Sequence, residues 1–334
     1  MPKTVSVIMP TYNKKMSLEL TLTSFYNQSY PADRFEVAVI DDGSQDGTDK
    51  LLSKLAPPFE MKVISQENKG RAAARNVGLK AAEGEIILFC DDDRVVEPSF
   101  IEEHVRFHDE PGCVVAGHRY NFTPFMPESF EYETSPELDP NDLPIQHLID
   151  KDDILYHFDK VRSQAYEEGF INRAARKAVQ IFGNDLSGFK VPWVFFVTSN
   201  VSAPKEALFE VGLFDEKFKG WGLEDWELGY RLYRMGLKFK INEKARNYHA
   251  EHIRNVRKIL KEEVLNYRYF CEKHPYFEIY LLWRFQKRRL EIDEYNALVT
   301  EFYNLEPNSS LREDYLRLVK RESELYVEEY LKKL

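Results

Sequence analysis

Residues 85–98 read EIILFCDDDRVVEP. The apolar run Ile86-Ile87-Leu88-Phe89 fits a buried strand, and Asp91, Asp92 and Asp93 follow it almost directly. Three like charges at the end of a buried strand repel one another and are costly to desolvate. The placement therefore calls for an explanation, either a hydrated strand-to-loop turn or a ligand that brings compensating charge.

Working outward, strand and helix patterns alternate. Val5 to Met9, Phe35 to Ile40, Met61 to Ser65 and Glu85 to Phe89 read as strands. Ser17 to Tyr26, Thr48 to Leu55 and Arg71 to Ala82 carry helical spacing between them. This alternation predicts an α/β fold built on a mostly parallel sheet with helices on both faces. Ligands in such sheets bind beyond the carboxyl ends of the strands. Three polar stretches leave those ends: Pro10-Thr11-Tyr12-Asn13, Asp41-Asp42-Gly43-Ser44 and Asp91-Asp92-Asp93. If the strands are parallel, all three meet on one edge.

Residues 119–192 interrupt the pattern. Pro124, Pro127, Pro136, Pro140 and Pro144 punctuate an acidic stretch, and a helical pattern then runs from Ile154 to Phe182. Strand character returns from Val194, and a helix is predicted over Trp226 to Met235. Beyond residue 255 the signals are helical only. Val256, Ile259, Leu260, Val264 and Tyr267 share one face; Leu311, Tyr315, Leu318, Tyr326 and Tyr330 share another. The expected organisation is a catalytic unit over 1–254, with 119–192 an insertion on the acceptor side, and a helical extension over 255–334.

The 334 residues can bury a core without disulfides. Cys90, Cys113 and Cys271 lie far apart in no zinc spacing, so buried thiols are expected. The net charge of -10 argues against a general nucleic-acid binder. No apolar run approaches the ~20 residues of a membrane helix. The chain enters a strand at Thr4 without a charged-then-apolar leader, so a cytoplasmic protein, at most peripheral at a membrane, is expected. In the tail, FQKRRL (285–290) is a basic patch among tyrosines and leucines, but Glu262-Glu263, Asp293-Glu294 and Glu328-Glu329 oppose contact with anionic lipid. Packing is favoured, on the catalytic unit or in a homodimer through these helices.

The acidic groups have a common chemistry. Paired carboxylates at a strand end can hold Mg²⁺ or Mn²⁺ together with substrate phosphates. Asp42 can accept from a base or sugar edge, or serve the Asp-Gly-Ser turn. In NKGRAAARNVGL (68–79), Gly70 opens a helix on which Arg71 and Arg75 share a face. Either arginine can meet phosphate near the helix N-terminus or line a solvated surface. In GWGLEDWELGYRL (220–232), Glu224 and Asp225 precede a helix, where they can favour its dipole or present a general base.

Four segments occur in order: VSVIMPTYN, VIDDGSQDGT, NKGRAAARNVGLKAAEGEIILFCDDD and SNVSAPKEALFEVGLFDEKFKGWGLEDWELGYRL. Over residues 4–117 and 195–252 the chain resembles the family-2 inverting glycosyltransferases of the GT-A fold. The GWGLED segment is similar to that of polypeptide N-acetylgalactosaminyltransferases and chondroitin-polymerising enzymes. The resemblance implies a nucleotide-binding role for Pro10, Thr11 and Tyr12, with Tyr12 near the uracil and Asp42 reading the base. It implies donor contacts from Gly70, Arg71, Arg75, Asp91, Asp92 and Trp221. Asp93 would be the direct metal ligand, with Asp91 beside it. Asp225 is the better match to the base, with Glu224 its neighbour. The late histidine of ARNYHAEH (245–252) would complete the metal site, His249 first and His252 second.

The activity so implied is transfer of a sugar from a UDP-sugar to a hydroxyl by single displacement, with Mn²⁺ or Mg²⁺ as cofactor. The acceptor would be a glycan, a lipid-linked molecule or a protein. Two other readings are a nucleotidyltransferase and a non-catalytic sugar-nucleotide-binding module acting through its tail. The first wants a glycine-rich, lysine-containing loop after its first strand, and MPTYNKKMS has no glycine. Intact carboxylates in all three clusters argue against the second.

Overall fold

The computed structural model describes residues 4–108, 112–127, 145–167, 169–251 and 256–333. Strands β1 (Val5–Thr11), β2 (Phe35–Asp41), β3 (Glu60–Ser65) and β4 (Ile86–Phe89) alternate with helices α1 (Lys15–Ser24), α2 (Thr48–Leu52) and α3 (Arg71–Ala81). The strands lie in the order β3-β2-β1-β4, all parallel. β1, β2 and β4 are buried on both faces, with Ile8, Ile40 and Phe89 in one core and Val7, Val39 and Leu88 in the other, whereas the edge strand β3 is half-exposed. Burial on both faces explains why β1, β2 and β4 are nearly continuous apolar runs. Thr11 pairs with Asp41, and Ile8 with Phe89, so the three polar stretches leave the same edge as expected. Helix α3 lies flush on the sheet through Gly78, where a Cβ would meet Ile40 Cδ1 at 2.6 Å and Ile8 Cγ2 at 2.7 Å.

The chain continues through β5 (Arg94–Val96), α4 (Phe100–Arg106), β6 (Cys113–Phe122), the hairpin strands β7 (Phe125–Pro127) and β8 (Ile145–His147), and helices α5 (Lys151–Tyr156) and α6 (Asp159–Gln164). It then forms β9 (Tyr166–Glu167), α7 (Gly169–Phe182), β10 (Val201–Pro204), α8 (Lys205–Glu210), α9 (Glu224–Arg234) and β11 (Lys238–Ala250). Beyond β4 the sheet runs β10-β6-β11-β5, with β9 on the side of β6. β10 is antiparallel to both its neighbours, and β11 is parallel to β6. The result is a mixed α/β sheet whose parallel block is extended by a reversed strand.

Three local expectations are corrected. The helical pattern over Ile154 to Phe182 is not one helix; it divides at His157 and Ala165, and β9 pairs with Tyr120 and Asn121 of β6. Periodic spacing survives such short breaks. Residues 119–122 belong to strand β6 rather than to an insertion. The apolar run at Val194 is a 3-10 turn over Pro192–Phe195, and strand β10 begins only at Val201. Trp193 to Phe196 are buried all round, so their pattern carries no period to read.

The tail forms α10 (Val256–Lys273), α11 (Phe277–Gln286), α12 (Ile292–Asn304) and α13 (Ser310–Lys333). It packs back on its own chain. Phe270 meets Trp193 and Tyr230 edge-on at 6.0 and 6.1 Å, and one apolar core continues from Ile8 through Phe89 and Tyr230 to Trp283 and Val327. Tyr326 and Tyr330 pack on this core, whereas Leu311, Tyr315 and Leu318 stay exposed. No helix among the described residues is long and apolar enough to cross a membrane. All three cysteines are buried free thiols.

Candidate active site

A cleft of about 670 Å³ opens at the carboxyl edge of the parallel block. Its lining includes Pro10, Thr11, Tyr12, Asp42, Gly70, Arg71, Arg75, Asp91, Asp92, Asp93, Trp221, Glu224 and Asp225. On one side Tyr12 follows β1 and is 48% exposed. Asp42 follows β2 and is buried, with its carboxylate accepting from Gln66 Nε2 at 2.6 Å and from the backbone N–H groups of Lys69 and Gly70 at 2.9 Å. Asp42 thus anchors the loop that leads into α3. Gly70, at φ +90°, turns the chain into the helix, and Arg71 at the first position is 41% exposed to the cleft.

Arg75 differs from the expectation of a phosphate contact. It is one turn deeper than Arg71 and fully buried, and its two outer nitrogens go to Glu224 Oε1 and Asp91 Oδ1, each at 2.9 Å. Its guanidinium also lies over the Phe214 ring. Both hydrogen-bonding arms are held by carboxylates, so Arg75 ties α3, the end of β4 and the start of α9 together.

The aspartate triplet divides. Asp91 faces Arg75. Asp92 is buried, and burial together with the neighbouring Asp93 charge pushes its pKa up to about 7. Asp93 Oδ2 lies 3.5 Å from His249 Nε2 and 3.7 Å from Lys14 Nζ. His249 sits on β11 opposite Arg94 of β5, and its Nδ1 lies 3.3 Å from Asn121 Oδ1. With Asn121 able to accept from Nδ1–H, Nε2 could turn its lone pair to a cation held beside Asp93, the tautomer a metal ligand needs. Asp91 stands apart from the Asp93–His249 pair. Among the described residues, the carboxylates that gather in a group of three within 4.8 Å are Glu36, Glu60 and Glu83, where Lys62 supplies the cation at 2.7 Å from Glu36. His252 lies outside the described residues.

Glu224 and Asp225 are the first residues of α9, which begins two positions before the predicted start at Trp226. Glu224 is buried against Arg75. Asp225 accepts from the N–H of Trp226 at 2.8 Å and from that of Thr198 at 3.4 Å. Burial and the adjacent Glu224 charge raise its pKa to about 7, with Arg75 opposing them. A carboxylate poised there can take a proton near neutral pH.

Several lining residues escaped the sequence reading. Lys14 follows β1, Arg119 lies on β6, and Thr198 and Ser199 precede the reversed strand β10. Phe170 comes from α7, and Lys258, Ile259, Glu262 and Glu263 come from α10. Arg119 and Phe170 belong to the stretch without a motif, and the apolar periodicity of α10 reads as packing alone.

The family model described as glycosyl transferase family 2 matches residues 6–164, and that of the N-terminal domain of galactosyltransferase matches 181–253. An uncharacterized glycosyltransferase of Bacillus subtilis, YfnE, is 33% identical over 277 residues, covering 80% of this chain and 70% of the relative. The chain belongs to the family-2 glycosyltransferases. Validoxylamine A glucosyltransferase of Streptomyces hygroscopicus is 31% identical over 85% of this glycosyltransferase and 64% of its own length. Chondroitin synthase of Escherichia coli is 29% identical, with 34% of its length covered. The chain therefore spans only part of each of these relatives. Among solved structures, a mannosyltransferase from Pyrobaculum calidifontis in complex with GDP-Man and Mn²⁺ superposes with a TM-score of 0.53 at 20% identity, over 79% of this chain and 63% of its own. That likeness supports the GT-A fold of this glycosyltransferase.

Proposed function

We propose that this glycosyltransferase is metal-dependent and inverting, and moves a sugar from a UDP-sugar to an acceptor hydroxyl in one displacement. The observation that carries the reading is a single cleft lined by both Asp93, whose carboxylate lies 3.5 Å from the buried His249 behind it, and Asp225. A carboxylate and an imidazole, with the crowded Asp92 beside them, suit Mn²⁺ or Mg²⁺, which are commonly held by few protein ligands plus substrate phosphates. Such an ion neutralises charge on a diphosphate leaving group. The solved mannosyltransferase, with its GDP-sugar and Mn²⁺, supports the pairing of a nucleotide sugar with a divalent ion.

Tyr12 offers an exposed ring for the base, and Asp42 holds the loop on which Lys69 and Gly70 sit and offers its edge to the nucleotide. Arg71, exposed at the start of α3, meets the diphosphate together with that helix end. Trp221 lines the sugar side. Asp225 accepts the proton of the acceptor hydroxyl as it attacks from the face opposite the leaving group. Glu224 and Arg75 hold the start of α9 in place. The test is titration of UDP in the presence and absence of Mn²⁺, followed by turnover on a panel of UDP-sugars with the anomeric configuration of the product read by NMR. Binding of UDP that ignores the metal, or a retained configuration, rejects the proposal.

A further inference from the structure

Helix α10 lies outside every motif, yet two of its residues hold the loop in front of Asp225. Glu262 and Asn266 are four apart and share one helix face. The Asn266 side-chain amide donates toward the carbonyls of Lys219, Trp221 and Gly222 at 3.0, 3.3 and 2.9 Å, and its oxygen accepts from the N–H of Lys219 at 3.3 Å. Glu262 Oε2 accepts from the N–H of Trp221 at 2.9 Å. The loop is a poor candidate to hold itself. Gly220, Gly222 and Leu223 have φ of +70°, +97° and +72°, so no regular ladder pairs their backbone groups. A Cβ on Gly220 would meet the Glu262 carboxylate at 2.2–2.6 Å, so loop and helix touch without a gap. The Leu223 carbonyl then accepts from the N–H of Glu227 at 3.0 Å, so the loop runs directly into the N-cap of α9. One turn of α10 thus sets where α9 begins.

We propose that Glu262 and Asn266 are positioning residues for the transfer step, fixing the 219–222 loop and through it the Asp225 carboxylate. The inference rests on the reading of Asp225 as the base. A displacement of about 1 Å at a reacting group can cost on the order of 100-fold in rate.

The test compares Asn266→Ala, Glu262→Ala and Glu262→Gln by metal-dependent UDP release from the UDP-sugar that the donor panel selects, at saturating donor with water as the acceptor. Tyr269→Phe is the control: it removes the 2.8 Å bond to Asp215 and loosens α10 away from the loop. The expected result is a kcat loss of about 10-fold or more in both alanine variants. Metal-dependent UDP affinity stays within about twofold, and Glu262→Gln keeps most activity because its amide oxygen still accepts from Trp221. In the Asp225→Asn background, Asn266→Ala adds little further loss. A near-native kcat in a folded alanine variant, an equal loss in Tyr269→Phe, or a full additional loss in the double variant overturns the inference. Should Asn266→Ala not fold, the Glu262 pair decides. Failure of the base assignment shows separately, as full activity in Asp225→Asn alone.

Discussion

Replacing Arg75 by methionine isolates the buried charge chain that joins three elements. The guanidinium and the Glu224 side chain are 3% and 4% exposed, at 2.9 Å, while Asp91 is 30% exposed. Removing one partner of a buried ion pair costs about 3–5 kcal/mol, because the other charge stays behind without its counter-ion. Glu224 carries most of that cost here; Asp91 keeps water, and Arg71 at 3.9 Å relieves Glu224 only partly from its exposed position. An unfolding entropy of about 2.1 cal/mol/K per residue gives about 0.7 kcal/mol/K for a chain of this length, so Tm falls by about 4–7 °C. Differential scanning calorimetry of the metal-free protein measures the shift. The double variant Arg75→Met/Glu224→Gln, which removes the stranded charge, recovers more than half of it. A single variant within about 1 °C of the native Tm, or a double variant no better than the single, refutes the idea that Arg75 neutralises Glu224.

Asp225→Asn keeps one acceptor oxygen for the Trp226 N–H at 2.8 Å and gives up only the long 3.4 Å bond from the Thr198 N–H, so it folds and binds UDP, yet loses about 10²–10⁴-fold in transfer, measured as product formed per enzyme. If Glu224→Gln cripples transfer and Asp225→Asn is mild, the two roles are reversed. In the proposed mechanism Asp225 works in its ionised form, and its pKa is raised to about 7, so kcat/KM is expected to rise with pH through that value. Tenfold per pH unit is the slope expected well below pH 7, and a rate independent of pH between 5 and 8 contradicts the assignment. Asp93→Ala removes the carboxylate beside His249 and one repulsive charge beside Asp92, so it abolishes metal-dependent turnover without lowering Tm; turnover at ordinary Mn²⁺ concentration in this variant would falsify its role.

The parallel block was readable because β1, β2 and β4 are buried on both faces and end in polar turns, while the half-exposed edge strand β3 follows by alternation. Register then brings Thr11, Asp41 and the triplet after Phe89 to one edge with no further information. The Arg71–Arg75 pair was readable only as a shared helix face. How differently the two are used depends on how closely Gly78 lets α3 approach the sheet, which no spacing reveals. The reversed direction of β10 was hidden too. It brings Thr198 and Ser199 to the cleft from the amino end of a strand, against the rule that led to the other residues. His249 could be singled out only by resemblance, since its partners Asp93 and Asn121 meet it through two separate strand pairings.

The reversed strand β10 also sets an order of assembly. Val201 to Pro204 pair with Phe89 back to Ile86, so one side of β4 has no hydrogen-bonding neighbour until about 110 further residues have been made. At roughly 5–20 residues per second, a ribosome takes on the order of 5–20 seconds to supply them. For that interval the growing chain presents the apolar edge Ile86-Ile87-Leu88-Phe89, an open template for pairing with other chains. The acidic residues that follow it at once, Asp91, Asp92 and Asp93, flank this edge with like charge and hinder such pairing. The cluster proposed to meet a cation in the finished enzyme thus also supplies the flanking like charge that disfavours such pairing during synthesis.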